Sequence, residues 1–441
     1  MTIAMFDAFY FSAHHISRMK VSFVLLVVIL TVCSALPVSR KVRYDNYKVF
    51  RITPRTQDEL KWMQGVADRW ETLDFWKRPT KVGRPVDVMV SPAHQLNFVS
   101  SASRPGLEIT TWISNVQDMI DREAAEMINS KNNVNNANFD YNQYHTYEEI
   151  FAWMNDFSSS HPDVNMVQVT TTYEGEAVYG LRIAKSPFAK NVAYIQGGIH
   201  AREWVSPATV INLINMFVSN YGSDDTVTSM LDNFVWIIVP VYNIDGYKFS
   251  HTDDRMWRKN RNPNTGGCAG VDLNRNYDFE WGGASRQRCA QDFQGTEPLS
   301  EPENIGSKAF LQSFGSNLKL FIDFHAYGQY WLYPWGYTRR NVAHPDKDEQ
   351  KALATEVENS ISSVHGKDYF VGESGPDMYP ATGGSEDFGY GSLGVKYTYV
   401  VELRDEGTFG FQLPARQIQP TAEEIYAGMK TLCQQLVAEF A

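Results

Sequence analysis

The stretch NVAYIQGGIHAREW, residues 191–204, decides the fold and raises the question of function. Its first part is a nearly continuous apolar run, which is typical of a strand covered on both faces. Gly197 and Gly198 follow and allow a tight turn of the backbone. His200 and Glu203 come next, three residues apart, and point the same way if this segment forms a turn. Binding sites in α/β sheets lie beyond the carboxyl ends of strands, so this pair is a candidate zinc site.

A second pair has the same spacing, His145 and Glu148 in YHTYEE. Spacing alone does not separate the two pairs, but context does. The second pair follows a polar stretch and opens a predicted helix, with Thr146 as the N-cap and Glu148 as an acid of the first turn. We interpret it as a structural pair.

Three further apolar runs resemble the first: FVWIIVPVY (234–242), LKLFIDFHAY (318–327) and VKYTYVVELRD (395–405). Helical patterns such as PATVINLINMFVSNY lie between them. This alternation predicts an α/β domain, with a mixed, mostly parallel sheet and helices on both faces.

The preceding region, residues 36–131, reads as a small α+β antiparallel unit with its own core. YKVFRI and VDVMV are strand-like, and SPAHQ is turn-like. TQDELKWMQGVADRW predicts a helix with a threonine cap, and TTWISNVQDMIDREAAEMI predicts one long amphipathic helix.

Between the two units, six asparagines lie between Asn129 and Asn138 with almost no apolar residue among them. Such a segment cannot pack, so we expect a linker. Lys131 offers a trypsin-like protease a cleavage site there. The order of units suggests a zymogen with a prodomain at 36–131 and a catalytic domain at 132–441. The alternative is a two-domain protein with a flexible hinge.

MKVSFVLLVVILTVCSA, Met19–Ala35, has a basic start, an apolar centre and small residues for cleavage. This pattern predicts a secretory signal within residues 1–35, with Met19 as the working start; the alternative is a buried N-terminal helix. We find no other segment apolar enough to span a membrane. The formal charge of −11 and the lack of a long basic run argue against nucleic-acid binding. We therefore expect a soluble, secreted protein.

A catalytic zinc needs a third protein ligand and an open position. His325 ends a predicted buried strand and can reach the same rim as His200, although a histidine of the core would have the same pattern. Glu402 ends the last apolar run, where a buried carboxylate needs a partner or a task. It is either a general base beside the metal or the partner of a nearby arginine such as Arg404.

Six motifs, in this order, resemble those of the zinc carboxypeptidase A/B family: GGIHAREW, DDRMWRKNRN, GVDLNRNYD, HAYGQYWLYPWGY, YPATGGSEDF and ELRDEGTFGFQLPARQI. The resemblance covers roughly residues 139–441, and the region before it resembles the activation domain of the family's secreted, digestive-type procarboxypeptidases. It implies one zinc ion, peptide or protein C-termini as substrates, a trypsin-like activating protease, no membrane or nucleic-acid partner, a monomeric state and a digestive lumen as the setting.

Residue by residue, the resemblance implies the following roles. His200, Glu203 and His325 match the zinc ligands, and Glu402 matches the base that activates water. Arg258 matches the group that polarises the scissile carbonyl. Asn274 and Arg275 match the pair that holds the substrate's terminal carboxylate, and Tyr379 matches the tyrosine that closes over this carboxylate. Arg202 matches a subsidiary substrate contact. Cys268 and Cys289, which are near enough in sequence to bridge, match a family disulfide. Taken singly, DLNRN could be a polar turn and Tyr379 a loop residue.

Glu386 falls where the family's pocket-floor residue lies, and an acid there suits a basic C-terminal side chain. The carboxypeptidase B type has Asp at this position, so the longer Glu would shorten the pocket and favour Lys over Arg. One alternative is a carboxypeptidase A-like preference, with Ser385 capping a helix and Glu386 in its first turn. Another is an inactive, peptide-binding relative. The segment from Glu386 to Glu402 is one residue longer than the family pattern.

Overall fold

The computed structural model describes residues 41–70, 73–104, 106–133, 139–264 and 267–441, and at 130–133 only the backbone. The predicted signal sequence and its start at Met19 lie outside the described residues. Within these ranges, no helix is both long enough and apolar enough to cross a membrane.

The N-terminal unit is a four-stranded antiparallel sheet packed with helices, in the strand order β2-β3-β1-β4. Its elements are β1 (Lys48–Ile52), α1 (Gln57–Arg69), β2 (Asp74–Lys77), β3 (Val86–Val90), α2 (Gln95–Ala102), β4 (Ile109–Ile113) and α3 (Val116–Asn133). Phe50, Met63, Val88 and Phe98 belong to a hydrophobic cluster of its own. The predicted α+β unit is therefore confirmed. Thr56 caps α1 and completes a capping box with Glu59.

Two local predictions in this unit were wrong, and one helix was not predicted. The stretch TTWI is part of strand β4, which pairs with β1, because β-branched and aromatic residues suit a half-exposed edge strand better than a first helical turn. The turn expected in SPAHQ is a short 3₁₀ turn, and the helix α2 that follows it was not predicted. Helix α3 continues through Lys131 to Asn133, so the predicted linker begins later than Asn129; residues 134–138 are not described.

The second unit contains an eight-stranded sheet and helices packed against it. Its elements are α4 (Tyr147–Ser160), β5 (Val164–Thr171), β6 (Ala177–Ile183), β7 (Asn191–Gly197), α5 (Val205–Ser219), α6 (Asp225–Asn233), β8 (Phe234–Val239), α7 (Ile244–Thr252), α8 (Pro302–Gln312), β9 (Leu318–Ala326), β10 (Tyr330–Tyr333), α9 (Lys347–His365), β11 (Phe370–Glu373), α10 (Ser385–Asp387), β12 (Tyr397–Leu403) and α11 (Ile418–Phe440).

The order of the large sheet is β11-β10-β12-β9-β7-β8-β6-β5. Four neighbouring pairs are parallel, namely β10–β11, β12–β9, β7–β9 and β7–β8, and the other three are antiparallel. Every residue of β8 is buried, as are all but the first of β7. Side chains alternate between the faces of a strand, so both faces of the sheet centre are covered. The mixed α/β fold is confirmed.

The central parallel strands β7, β9 and β12 end at the same edge, and this brings distant parts of the chain together. Gly198 has φ +69°, in the region that favours glycine. A Cβ on Gly197 would lie 2.8 Å from Ser206 Oγ in α5. Both glycines are therefore needed for the close turn from β7 into α5.

A buried ion pair joins the two units. Glu123 of α3 accepts a hydrogen bond from Arg255 Nη2 at 2.9 Å, and burial raises the pKa of the Glu123 carboxyl. Arg255 also donates to the backbone oxygens of Arg202 and Phe411 and stacks on Trp204, 3.6 Å from the ring centroid. The arginine is therefore held in place by the second unit, and Glu123 supplies its countercharge from the first.

We predict that Glu123→Ala destabilises the protein by about 3 kcal/mol, because removing one partner leaves a buried charge uncompensated. Chemical denaturation of the full chain measures the effect. Glu126→Ala, an exposed change on the same helix, is the control. Equal stabilities of the two variants would contradict the role given to the ion pair.

Candidate active site

Three side chains converge at the edge where β7 and β9 end. His200 and Glu203 lie on the turn between β7 and α5, and His325 lies near the end of β9. All three are buried, and their ligand atoms lie within 4.8 Å of one another. His200 Nδ1 is 3.0 Å from His325 Nδ1 and 2.9 Å from Glu203 Oε1. Two imidazole nitrogens and a carboxylate facing one point match the donors that a catalytic zinc takes from protein.

The outer nitrogen of each imidazole faces a carboxylate. His200 Nε2 lies 3.1 Å from Asp272 Oδ1, and His325 Nε2 lies 3.0 Å from Asp323 Oδ2. Such partners fix the ring orientation of metal-binding histidines. Sequence reasoning missed both acids. Asp323 had a signal, because it precedes His325 by two residues on one strand, whereas Asp272 reaches His200 only through the fold.

Glu402 lies beside this group on the neighbouring strand β12, directly opposite His325 in the sheet register. It lines the cavity above the site, and burial raises the pKa of its carboxyl to about 8. Its Oε2 has no hydrogen-bond partner among the described residues. Pairing with Arg404 does not occur, because Arg404 donates to Glu424 and Gln417 instead. Glu402 is therefore an unpartnered carboxyl facing the space where a substrate would lie.

Arg258 reaches the same space from the loop after α7. It donates to Asp272 Oδ2 from Nε at 3.1 Å and from Nη2 at 2.9 Å, and its Nη1 is 3.7 Å from Glu203 Oε1. Burial disfavours the ionised form of Asp272, but Arg258 and His200 outweigh it and hold the pKa of this carboxyl well below its usual range. One aspartate thus orients both a histidine and an arginine.

A second arginine, Arg275, lies on the 3₁₀ turn Leu273–Arg275. It donates to its neighbour's backbone oxygen at 2.6 Å. Tyr379 stands over it, with the guanidinium carbon 6.0 Å from the ring centroid. Asn274 Oδ1 accepts a hydrogen bond from Ser385 N at 2.7 Å, and this contact ties the turn to α10.

Glu386 is buried on α10, with 4% of its surface exposed. A Cβ on Gly384 would lie 2.7 Å from its Oε2, and one on Gly336 would strike its Oε1, so both glycines make room for the carboxyl. Among the described side chains, no Lys or Arg forms an ion pair with Glu386. Its neighbour Asp387 has a structural role and accepts hydrogen bonds from two backbone amides of the loop after β10, each at 2.7 Å.

The segment around Glu386 consists of the short helix α10 and a wider turn after it. The N-cap of α10 is Gly384 and Ser385 makes no capping bond, so the serine cap of the alternative interpretation is not formed, although Glu386 does lie in the first turn. The backbone then widens into a π-helical turn over Phe388–Ser392. A π turn contains one more residue than an α turn, so this turn can take up the extra residue between Glu386 and Glu402.

The N-terminal unit covers the site. A cavity of about 480 Å³ is lined on one side by Phe75, Trp76 and Arg78 and on the other by the site residues Glu402 and Arg275, with other residues of both units. Arg78 is 5.6 Å from the centroid of the Tyr379 ring.

Arg202 is the rim residue that the N-terminal unit contacts most directly. Its Nη1 donates to Asp74 Oδ2 of β2 at 2.6 Å, and its guanidinium lies 4.2 Å from the centroid of Phe411. Arg202 Nε has no hydrogen-bond partner among the described residues. Arg202, which is expected to contact substrate, is therefore paired with the carboxylate of Asp74 from the N-terminal unit.

The remaining predicted residues lie outside the metal group. Thr146 caps α4 and Glu148 lies in its first turn, as expected, and Glu149 completes a capping box. His145 stacks on Phe139 with ring centroids 3.9 Å apart. Cys268 and Cys289 form a disulfide, and Cys433 is a buried free thiol.

Comparison with known proteins identifies the class. The zinc carboxypeptidase family matches residues 150–428, and the carboxypeptidase activation peptide matches residues 50–123. The chain belongs to the zinc carboxypeptidase family, and it is a metallocarboxypeptidase zymogen of the A/B type.

The relatives include both subtypes. Carboxypeptidase A4 of Mus musculus is 36% identical over 89% of this chain and 94% of its own length. Carboxypeptidase B of Astacus astacus is 41% identical over 66% of this chain and 97% of its own length. The structure of thrombin activatable fibrinolysis inhibitor is similar over 90% of this chain and all of its own, at 30% identity and a TM-score of 0.79.

We predict that Asp74→Asn raises the activity of the uncleaved zymogen on a small peptide substrate. The substitution removes the ion-pair partner of the buried Arg202. Breaking such a pair costs about 3 kcal/mol, or roughly a hundredfold in the closed population. Initial rates before proteolysis measure the effect. Asp58→Asn, an exposed change on α1, is the control; unchanged zymogen activity in Asp74→Asn would contradict the contact's role in inhibition.

Proposed function

We propose that this chain is a secreted zymogen which, once cleaved near Lys131, removes basic C-terminal residues from peptides, Lys in preference to Arg. The observation that carries the preference is Glu386, a buried carboxyl without an ion-pair partner among the described side chains. Burying an unpaired carboxylate is costly. A substrate ammonium group would supply the missing charge, whereas an apolar side chain would leave the carboxyl unpaired.

The substrate's terminal carboxylate would bind Arg275, whose planar fork holds a carboxylate through two parallel hydrogen bonds. Asn274 lies on the same turn, and Tyr379 stands above it to close over the bound end. Holding a free carboxylate restricts the enzyme to the last residue of a chain. This arrangement supports an exopeptidase.

The site residues His200, Glu203 and His325 would hold the zinc ion. Bound zinc supplies a Lewis acid that polarises the scissile carbonyl and lowers the pKa of water. Glu402 would take a proton from the attacking water molecule and deliver it to the amine leaving group. Arg258, oriented by Asp272, would face the negative charge that develops on the carbonyl oxygen.

Activation would require cleavage after Lys131. Since the backbone there is the last turn of α3, the helix end must unwind before a trypsin-like protease can bind it. Loss of the N-terminal unit would free Arg202 and uncover the cavity. We also propose a monomer that acts outside the cell in a digestive lumen, in keeping with the predicted signal sequence.

The function is tested by treating the secreted protein with trypsin and assaying peptides that end in Lys, Arg, Phe or Glu, with and without a chelator. Release of Lys that the chelator abolishes is the expected result. Release of Phe without Lys would favour the carboxypeptidase A-like alternative. No release from any peptide would refute the proposal.

We predict that Glu402→Gln lowers kcat by roughly three orders of magnitude, because general-base catalysis contributes about 10²- to 10⁴-fold. Zinc content, measured by elemental analysis, should stay at one ion per chain because Gln has nearly the same size. Activity within tenfold of the wild type would refute the assignment of Glu402 as base.

We predict that Glu386→Gln lowers kcat/KM for C-terminal Lys by about 10- to 100-fold, the value of a hydrogen bond to a charged group. Peptides ending in Phe should not lose activity and serve as the control. Glu386→Asp deepens the pocket by one methylene and should raise the Arg-to-Lys ratio. An unchanged rate with Lys peptides in Glu386→Gln would exclude this residue as the pocket floor.

A further inference from the structure

Asp323 is a buried acid on β9 whose carboxylate makes no hydrogen bond that stabilises the sheet or the packing around it, among the described residues. It lies on β9 two residues before His325, so both side chains point to the same face of the strand. Its exposed surface is 0%. Its Oδ2 lies 3.0 Å from His325 Nε2.

No other described group holds this carboxylate. Neither oxygen has an aligned hydrogen bond in the described part of the chain, and the contact with His325 is at ion-pairing distance only. An isolated carboxylate in the interior is unfavourable by several kcal/mol unless a cation or donor compensates it. The His325 ring is the only such group at ion-pairing distance among the described residues.

Metal binding would assign the proton of the ring. Nδ1 faces His200 Nδ1 and Glu203, so zinc held there would take the Nδ1 lone pair and leave the proton of the neutral ring on Nε2. Asp323 Oδ2, 3.0 Å from Nε2, is the acceptor for that proton. Asn274 Nδ2, 3.3 Å from Nε2, can only donate, so it occupies this nitrogen in the metal-free ring.

Asp272 likewise faces Nε2 of His200, but there the contact is an aligned hydrogen bond. The two acids also differ in their other contacts. Asp272 also accepts two hydrogen bonds from Arg258, which neutralises its charge without a metal. Among the described residues no arginine forms an ion pair with Asp323, so the His325 ring alone faces its charge.

We propose that Asp323 is a positioning residue for the metal ligand His325. Its carboxylate accepts the Nε2 proton, fixes the tautomer that presents Nδ1, and makes that nitrogen a stronger donor to zinc. The inference rests on the proposed metal site and is independent of substrate preference.

The test uses the full-length zymogen and measures zinc itself. Asp323→Ala and the isosteric Asp323→Asn are loaded with zinc, and release to an excess of a coloured chelator is followed. Outer carboxylates typically contribute 10- to 100-fold to metal affinity, so release should be about 10- to 100-fold faster in Asp323→Ala and less affected in Asp323→Asn. The cobalt(II) forms should differ from the wild type in their visible absorption.

Asp245→Asn is the matched control. Asp245 is also buried, but it accepts from Thr172 Oγ1 and Glu174 N, away from the metal group. It should lower the Tm of the apo and zinc-loaded forms equally and leave zinc release unchanged. In the Asp323 variants, by contrast, the rise in Tm on zinc loading should shrink.

The outcomes separate two failures. Wild-type protein that binds no zinc at this site would overturn the metal assignment itself. Wild-type protein that binds zinc, with Asp323→Asn and Asp323→Ala releasing it at the wild-type rate, would overturn the role of Asp323 alone. Equal Tm losses in the apo and loaded forms of both variants would likewise show a merely structural acid.

Discussion

The active site depends on how buried charges are balanced at the edge where β7, β9 and β12 end. His200 and His325 present one ring nitrogen each to the same point, and each has a carboxylate at its other nitrogen. Glu203 adds a third carboxylate, and Glu402 adds a buried carboxyl whose Oε2 has no hydrogen-bond partner among the described residues. Such a concentration of acids is unfavourable by itself in a protein interior. A dication at the centre, with Arg258 and Arg275 on the rim, compensates it, so the site is built to hold zinc.

The same reasoning explains how the N-terminal unit silences the enzyme. Arg202 and Arg255 are buried cations that need countercharges whether or not substrate is present. Asp74 supplies one to Arg202, and Glu123 supplies one to Arg255 beneath it. The inhibitory unit therefore binds through carboxylates, the chemical group that a carboxypeptidase also seeks in its substrate. In the proposed function, removing the unit would leave Arg202 free to pair with substrate.

Much of this could be predicted from single segments, because strand ends and glycine turns carry local signals. His200, Glu203, His325 and Glu402 all follow or end apolar runs, and Thr56 and Thr146 cap the helices expected of them. Partnerships across the fold had no such signal. Asp272 and Asp74 reach their partners from distant segments. The residues of strand β4 have a helix-like pattern and were predicted to start a helix, but they pair with β1 instead. The alternative in which Ser385 caps a helix also rested on a local pattern, and in the structure Gly384 is the N-cap instead.

The most direct measurement of the central claim is anomalous diffraction at the zinc absorption edge from crystals of the zinc-loaded protein. One peak is predicted, about 2.0–2.2 Å from His200 Nδ1, His325 Nδ1 and a carboxylate oxygen of Glu203, with Asp272 and Asp323 remaining at the outer nitrogens. A peak bound through either Nε2, or no peak between these three residues, would contradict the account.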